Sequence, residues 1–103
     1  MIGLIDYKAG NLTSVRKALA AVGADVFTPV TPRDLLRARG IIVPGVGHFG
    51  ATRTLDEPWV STIRELVENH LPLLGICLGM QWLFDGSDEA PDVPGLEIGR
   101  AHV

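Results

Sequence analysis

Apolar residues fall along the chain in two alternating patterns, short unbroken runs and stripes at helical spacing. Ile2-Gly3-Leu4-Ile5 is an unbroken run ending at Asp6-Tyr7, and it predicts a buried strand. Leu12, Val15, Leu19 and Val22 follow at spacings of three, four and three, which is one helix face, with Gly23 as its C-cap. Asp25 to Val30 predicts a second strand. Thr31-Pro32-Arg33-Asp34 has the order of a helix start: an N-cap, a proline at the first helical position and a capping-box acid. Gly40 is expected to end that short helix, and Ile41-Ile42-Val43 to form a third strand.

A longer helix is expected over Pro58 to Asn69. Trp59, Ile63, Leu66 and Val67 make its inner stripe, and Asp56 and Glu57 sit at its dipole-positive end. Leu73-Leu74-Gly75-Ile76 predicts the fourth strand and Leu78 to Phe84 the next helix. Residues 85–97, rich in Gly, Pro and Asp, read as a loop, and Ile98 to Val103 as the beginning of another strand. Strand-helix alternation of this kind predicts an α/β fold, a three-layer parallel sheet with helices on both faces in the flavodoxin-like manner. No internal repeat and no low-complexity segment interrupts it.

Composition narrows the functional classes. A chain of 103 residues is one small domain rather than two, and 47% apolar residues exclude a disordered tail. The net charge of −3 comes with twelve scattered carboxylates, so no basic face for a nucleic-acid partner is expected. The N-terminus reaches Asp6 too early for a signal peptide, and no apolar run approaches the ~18 residues of a membrane span. A single cysteine, Cys77, excludes an internal disulfide and suits a reducing cytoplasm. Neither metal nor cofactor is expected.

Two stretches carry candidate chemistry. Gly45-Val46-Gly47-His48-Phe49-Gly50 is a literal G-x-G-x-x-G, the fingerprint of a dinucleotide-binding loop. Its context is wrong, however. Such loops follow the first strand, with a ribose-binding acid at the end of the second strand ~20 residues on. Here the motif follows the third strand, and the acids at that distance, Glu65 and Glu68, lie inside an amphipathic helix.

Gly75-Ile76-Cys77-Leu78-Gly79 places G-x-C-x-G between a strand and a helix, a nucleophile elbow with sulfur in place of oxygen. Glycines on either side remove Cβ atoms that would collide at so tight a bend. The helix starting at Leu78 would aim N–H groups at the sulfur and favour thiolate, and the Leu78 N–H would be free to hold an oxyanion. The rival reading is a buried structural cysteine, the usual fate of a lone one. A thiolate elbow also needs a base, oriented by a carboxylate. His70 ends the long helix far from the carboxyl edge, His102 sits in the terminal run, and His48 alone is in a suitable loop; none completes a convincing triad.

LIDYKAGNL, VPGVGHFG and LGICLGMQWLF together resemble the class I (Cys-His-Glu) glutamine amidotransferases. Within that family they are most similar to the glutaminase subunits of imidazole glycerol phosphate synthases. The resemblance implies that Cys77 attacks the side-chain amide of glutamine, giving a glutamyl thioester and ammonia. It implies an oxyanion hole at Gly45, Val46, Gly47 and Leu78, and glutamine-binding positions at Gly47, Gln81 and Glu89. Asn11 would meet a barrel-fold cyclase subunit in a heterodimer, which uses the ammonia to make imidazole glycerol phosphate and AICAR in histidine biosynthesis. Lys8 departs from the small residue the family often has. The family's catalytic His and Glu lie in its C-terminal half, so the resemblance covers an N-terminal part of one domain, expected to be inactive alone and to leave a sheet edge unpaired. The alternatives are a glutaminase subunit of another ammonia-dependent synthase, a nucleotide- or flavin-binding module, and a non-catalytic flavodoxin-like or receiver-like docking domain. Pro44 stands where a receiver would need an aspartate.

Overall fold

A computed structural model describes residues 1–7, 12–45, 49–84 and 95–97. Its four strands are β1 (Ile2–Leu4), β2 (Val26–Phe27), β3 (Gly40–Val43) and β4 (Leu73–Gly75). They form one sheet in the order β2-β1-β3-β4, with every pairing parallel. This is the doubly wound order in which ligands gather outside the carboxyl ends of the strands. The α-helices are α1 (Leu12–Ala21), α2 (Glu57–Glu68) and α3 (Leu78–Trp82). Two 3-10 helices cover Pro32–Arg37 and Phe49–Thr54, the second of which the periodicity does not reveal.

Register sorts the side chains into two unequal layers. Gly3 pairs with Phe27 and Ile41, and Ile41 with Leu73, so these residues share one face of the sheet. That face carries the main core: Ile5, Tyr7, Ile41 and Val43 pack with Leu35, Leu55, Ile63, Leu78, Trp82 and Leu96. The other face holds Ile2, Leu4, Ile42 and Leu74 beneath α1. There Leu74 remains 54% exposed, and an open apolar cavity of about 330 Å³ runs between Leu19 and the amino-terminal ends of β1, β3 and β4.

The helix ends follow local rules. Leu12, Val15 and Leu19 of α1 are half-buried, but none is fully buried. Val22, expected on the same stripe, is 78% exposed because the helix ends at Ala21 and Val22 already lies in the closing turn. Gly23 (φ 76°) donates its N–H to Ala20 O and Ala24 donates to Leu19 O, a Schellman closure. The end of α2 repeats this arrangement without glycine. His70 (φ 71°) donates to Val67 O, and Leu71 donates to Leu66 O.

Asp34 serves the capping box as expected, accepting the N–H groups of Thr31 (3.1 Å) and Val30 (2.9 Å). The helix it starts ends at Arg37, with Ala38 as its C-cap, not at Gly40; Gly40 is already in β3, where it pairs with Ile2. The second strand is also shorter than Asp25–Val30, because the chain turns away at Pro29 towards the cap. No helix among the described residues is long and apolar enough to cross a membrane. The expected strand at residues 98–103 and the segment 85–94 lie outside the described residues.

Candidate active site

Cys77 stands between the end of β4 and the first residue of α3. Its backbone has φ 54° and ψ −116°, in the positive-φ region that a side chain with a Cβ rarely adopts. The neighbouring glycines show what enforces that turn. A Cβ on Gly75 would lie 2.6 Å from Met80 Cα and 2.8 Å from Met80 N. One on Gly79 would lie 1.7 Å from the Val43 carbonyl oxygen. Both glycines of G-x-C-x-G are therefore demanded by backbone crossing backbone. The Cys77 thiol is exposed, at the carboxyl edge of a parallel sheet, so the buried structural cysteine is excluded as its description.

The chain leaving β3 runs beside this elbow and is tied at three successive carbonyls. Val43 O accepts the N–H of Ile76 (3.0 Å), and Gly45 O accepts the N–H of Leu78 (2.9 Å). Between them, Pro44 O accepts the hydroxyl of Tyr7 (2.5 Å). The expectation that the Leu78 N–H is free is therefore corrected: it is engaged by Gly45. The N–H of Gly79, next along α3, donates to Ile76 O (3.0 Å) rather than serving the sulfur. The physical cause is burial. Leu78 is 2% exposed, where an unpaired N–H would cost ~1–3 kcal/mol, and the Gly45 carbonyl is the acceptor within reach. Gly45 has φ 144°, a conformation open to glycine but not to other residues, so a reorientation centred there meets no Cβ.

Gln81 lies one helical turn beyond Cys77, half-buried, with its N–H on Cys77 O (3.1 Å). Position and spacing thus bring Cys77, Leu78, Gln81 and Gly45 together. His70 is exposed at the end of α2, just before β4 begins, and so at the opposite edge of the sheet from Cys77. Asn11, Val46, Gly47, His48, Glu89 and His102 lie outside the described residues. Among the described residues no group of three or more His, Cys, Asp or Glu is placed to hold a metal ion.

Two residues of this region carry no sequence signal. Tyr7 is 5% exposed, and burial pushes its phenol up to about 12, so the hydroxyl stays a donor to Pro44. Arg64 reaches from α2 to Leu96 O (2.7 Å) and Glu97 (3.3 Å). Leu96 in turn donates to Trp82 O (2.5 Å), which ties residues 95–97 to the end of α3. Nothing in apolar periodicity marks the partner of a tyrosine hydroxyl or of an arginine on a helix flank.

With this geometry in place, comparisons with known proteins are informative. Residues 3–90 match the family described as "Glutamine amidotransferase class-I". The chain is 50% identical over 105 residues to "Imidazole glycerol phosphate synthase subunit HisH" of Geobacillus kaustophilus, covering 100% of this chain and 50% of that protein. It is 44% identical over 103 residues to the protein of the same description from Methanocaldococcus jannaschii, covering 100% of this chain and 52% of that one. The chain thus spans about half the length of the curated relatives it matches. Among solved structures, one described as "Crystal structure of glutamine amidotransferase" superposes with a TM-score of 0.82 at 23% identity, over 98% of this chain and 54% of that one. At that identity the likeness speaks for the fold.

Proposed function

The chain belongs to the class I glutamine amidotransferase family, and from that premise we propose that it carries the nucleophilic half of a glutaminase serving imidazole glycerol phosphate synthesis. The observation that carries this reading is the exposed Cys77 on a positive-φ turn, wedged between glycines that contact backbone. The Cys77 thiolate attacks the side-chain carbonyl carbon of glutamine, and the C=O electron pair moves onto oxygen. Collapse of that oxyanion expels ammonia, which takes its third proton from a general acid and leaves a glutamyl thioester. Water then attacks the thioester, giving glutamate and restoring the thiol.

The Leu78 N–H follows the nucleophile directly in the chain, and it must first leave Gly45 O. Turning the peptide that follows Gly45 withdraws the carbonyl and frees the Leu78 N–H. One rotation thus converts a closed site into an open oxyanion site, to which Val46 and Gly47 are the further proposed contributors. Gln81, one turn further on, binds the substrate's polar end in this reading, with Gly47 and Glu89 as further contacts. The general base and its orienting carboxylate are assigned to polypeptide corresponding to the half of the relatives that this chain does not span. The ammonia passes to a cyclase subunit bound at the Asn11 surface, in a cytoplasmic heterodimer. A glutaminase supplying another ammonia-dependent synthase uses the same residues, and the described parents of the 44–50% identical relatives favour the imidazole glycerol phosphate system.

The test is labelling with a chloroketone analogue of glutamine. Covalent modification at Cys77, slowed by excess glutamine and absent in Cys77→Ser, is the expected outcome. Equal labelling by a chloroketone lacking the amino-acid head group would sink the assignment. The chain alone is expected to release no ammonia from glutamine.

A further inference from the structure

Three consecutive carbonyls lie against the elbow, but they are held in two different ways. Val43 and Gly45 are bound by N–H groups of the elbow itself, from Ile76 and Leu78. Pro44 is bound from elsewhere, by the side chain of Tyr7 at the carboxyl end of β1. Proline has no N–H, so its carbonyl is the only backbone group by which residue 44 can be held by a hydrogen bond. The Tyr7 ring is packed in the main core, and its own carbonyl accepts the Thr54 hydroxyl at 3.4 Å.

This arrangement divides the segment into a fixed part and a turning part. The Tyr7 hydroxyl holds the peptide plane between Pro44 and Gly45. Among the described residues the next plane, carrying Gly45 O, is held by Leu78, and it is the plane whose rotation exposes the Leu78 N–H. We propose that Tyr7 is a positioning residue for the oxyanion-binding turn: its hydroxyl pins the Pro44 carbonyl so that the peptide after Gly45 pivots alone, between two defined orientations. The naming of that turn as oxyanion-binding rests on the glutaminase reading; the pinning itself does not. Burial keeps the phenol protonated through the neutral range, so the pin is present at every pH at which the enzyme would work.

Tyr7 is the only tyrosine in the chain, which makes the test specific. In the full chain carrying Tyr7→Phe, amide hydrogen exchange is measured at Leu78 and at Ile76. Release of the pin is expected to lower protection of Leu78 by about tenfold, the factor carried by one hydrogen bond, and to leave Ile76 unchanged. Equal losses at both amides, or no loss at Leu78, overturn the proposal. A second measurement takes the rate of Cys77 modification by the glutamine chloroketone relative to that by iodoacetamide, which forms no oxyanion. That ratio is expected to fall in Tyr7→Phe, whereas parallel changes with both reagents indicate a structural role and overturn the positioning one. If the unsubstituted chain shows no preference for the chloroketone, the glutaminase reading fails and the exchange experiment alone decides the pin. Should Tyr7→Phe fail to fold, difluorotyrosine incorporated at position 7 keeps the ring and ionises at lower pH. Leu78 protection should then fall through that ionisation while Ile76 holds, and identical behaviour of the two amides overturns the proposal.

Discussion

Replacing Gly79 with alanine adds one methyl group, and the structure leaves it nowhere to go. The new Cβ would sit 1.7 Å from Val43 O and 2.5 Å from Val43 C, with Pro44 O at 3.0 Å. All three are backbone atoms, so no rotamer change can make room. Ordinary contact begins at 3.4 Å, so α3 and the end of β3 must part by well over an ångström. The Ile76–Val43 and Leu78–Gly45 hydrogen bonds, at 3.0 and 2.9 Å, break on that displacement at ~1 kcal/mol each. Loosened packing of Leu78 and Trp82 against Val43 adds ~1–3 kcal/mol. The sum, about 3–5 kcal/mol, is most of the stability of a domain at the lower end of the ~5–15 kcal/mol range.

Urea unfolding followed by tryptophan fluorescence reads this directly, since Trp82 is 0% exposed. At a slope of about 1 kcal/mol per molar urea the midpoint should fall by about 3 M or more, or the folded baseline vanish. Gly75→Ala, meeting Met80 backbone at 2.6 and 2.8 Å, should also be severe, though less so. Gly40→Ala is the control: its nearest neighbour is Pro72 O at 3.7 Å, and a shift within about 0.5 kcal/mol is expected. A Gly79→Ala chain unfolding at the midpoint of the parent would refute the account of why the motif needs glycine.

His70→Gly should raise stability by ~1 kcal/mol, because His70 holds the left-handed position (φ 71°) of a Schellman closure that glycine fills without strain; a lower urea midpoint would contradict this. Phenolate absorbance should place the Tyr7 ionisation of the folded chain near 12, above the ordinary 10.0. Because the native state then keeps a proton that the unfolded chain releases, the stability is fully present below pH ~10 and is lost as pH rises towards 12; an ordinary tyrosine titration in the folded chain would refute the burial. Asp34 is held below the usual carboxylate range by the N–H groups of Thr31 first and Val30 second. Its contribution is present above the unfolded carboxyl's pKa and is lost as pH falls through the depressed native one. The stability gap between the parent and Asp34→Ala should therefore close on acidification, and a gap independent of pH would show that the cap is not ionic.

The sheet was legible because its signals are local. Unbroken apolar runs at Ile2, Ile41 and Leu73 and the stripe on α2 state burial residue by residue, and the capping box at Thr31–Asp34 needs only four adjacent residues. The elbow was legible in part: G-x-C-x-G told which residues had to be small. It did not tell which N–H would be free, because the partner of Leu78 depends on where the chain just past β3 lies, Gly45 being 33 residues earlier than Leu78. Val22 continues the arithmetic of the α1 stripe but falls after the helix has ended, since spacing does not register where a Schellman turn closes. Tyr7 was visible only as the residue where a strand stops. Its meeting with Pro44 spans 37 residues, and no periodicity encodes that distance.

The two faces of the sheet differ in how firmly they are closed, and this sets an order of events for opening the molecule. The main core joins β3, α2, α3 and the residues just after β1 through buried side chains, whereas α1 buries none of its residues completely. The least costly large excursion is therefore the lifting of α1 with its layer, while Cys77, Gly45 and Tyr7 stay in place on the other side. Damage, proteolysis or crowding that reaches the chain through α1 would leave the reactive edge assembled, so loss of helical signal and loss of thiol chemistry are separable events in this protein.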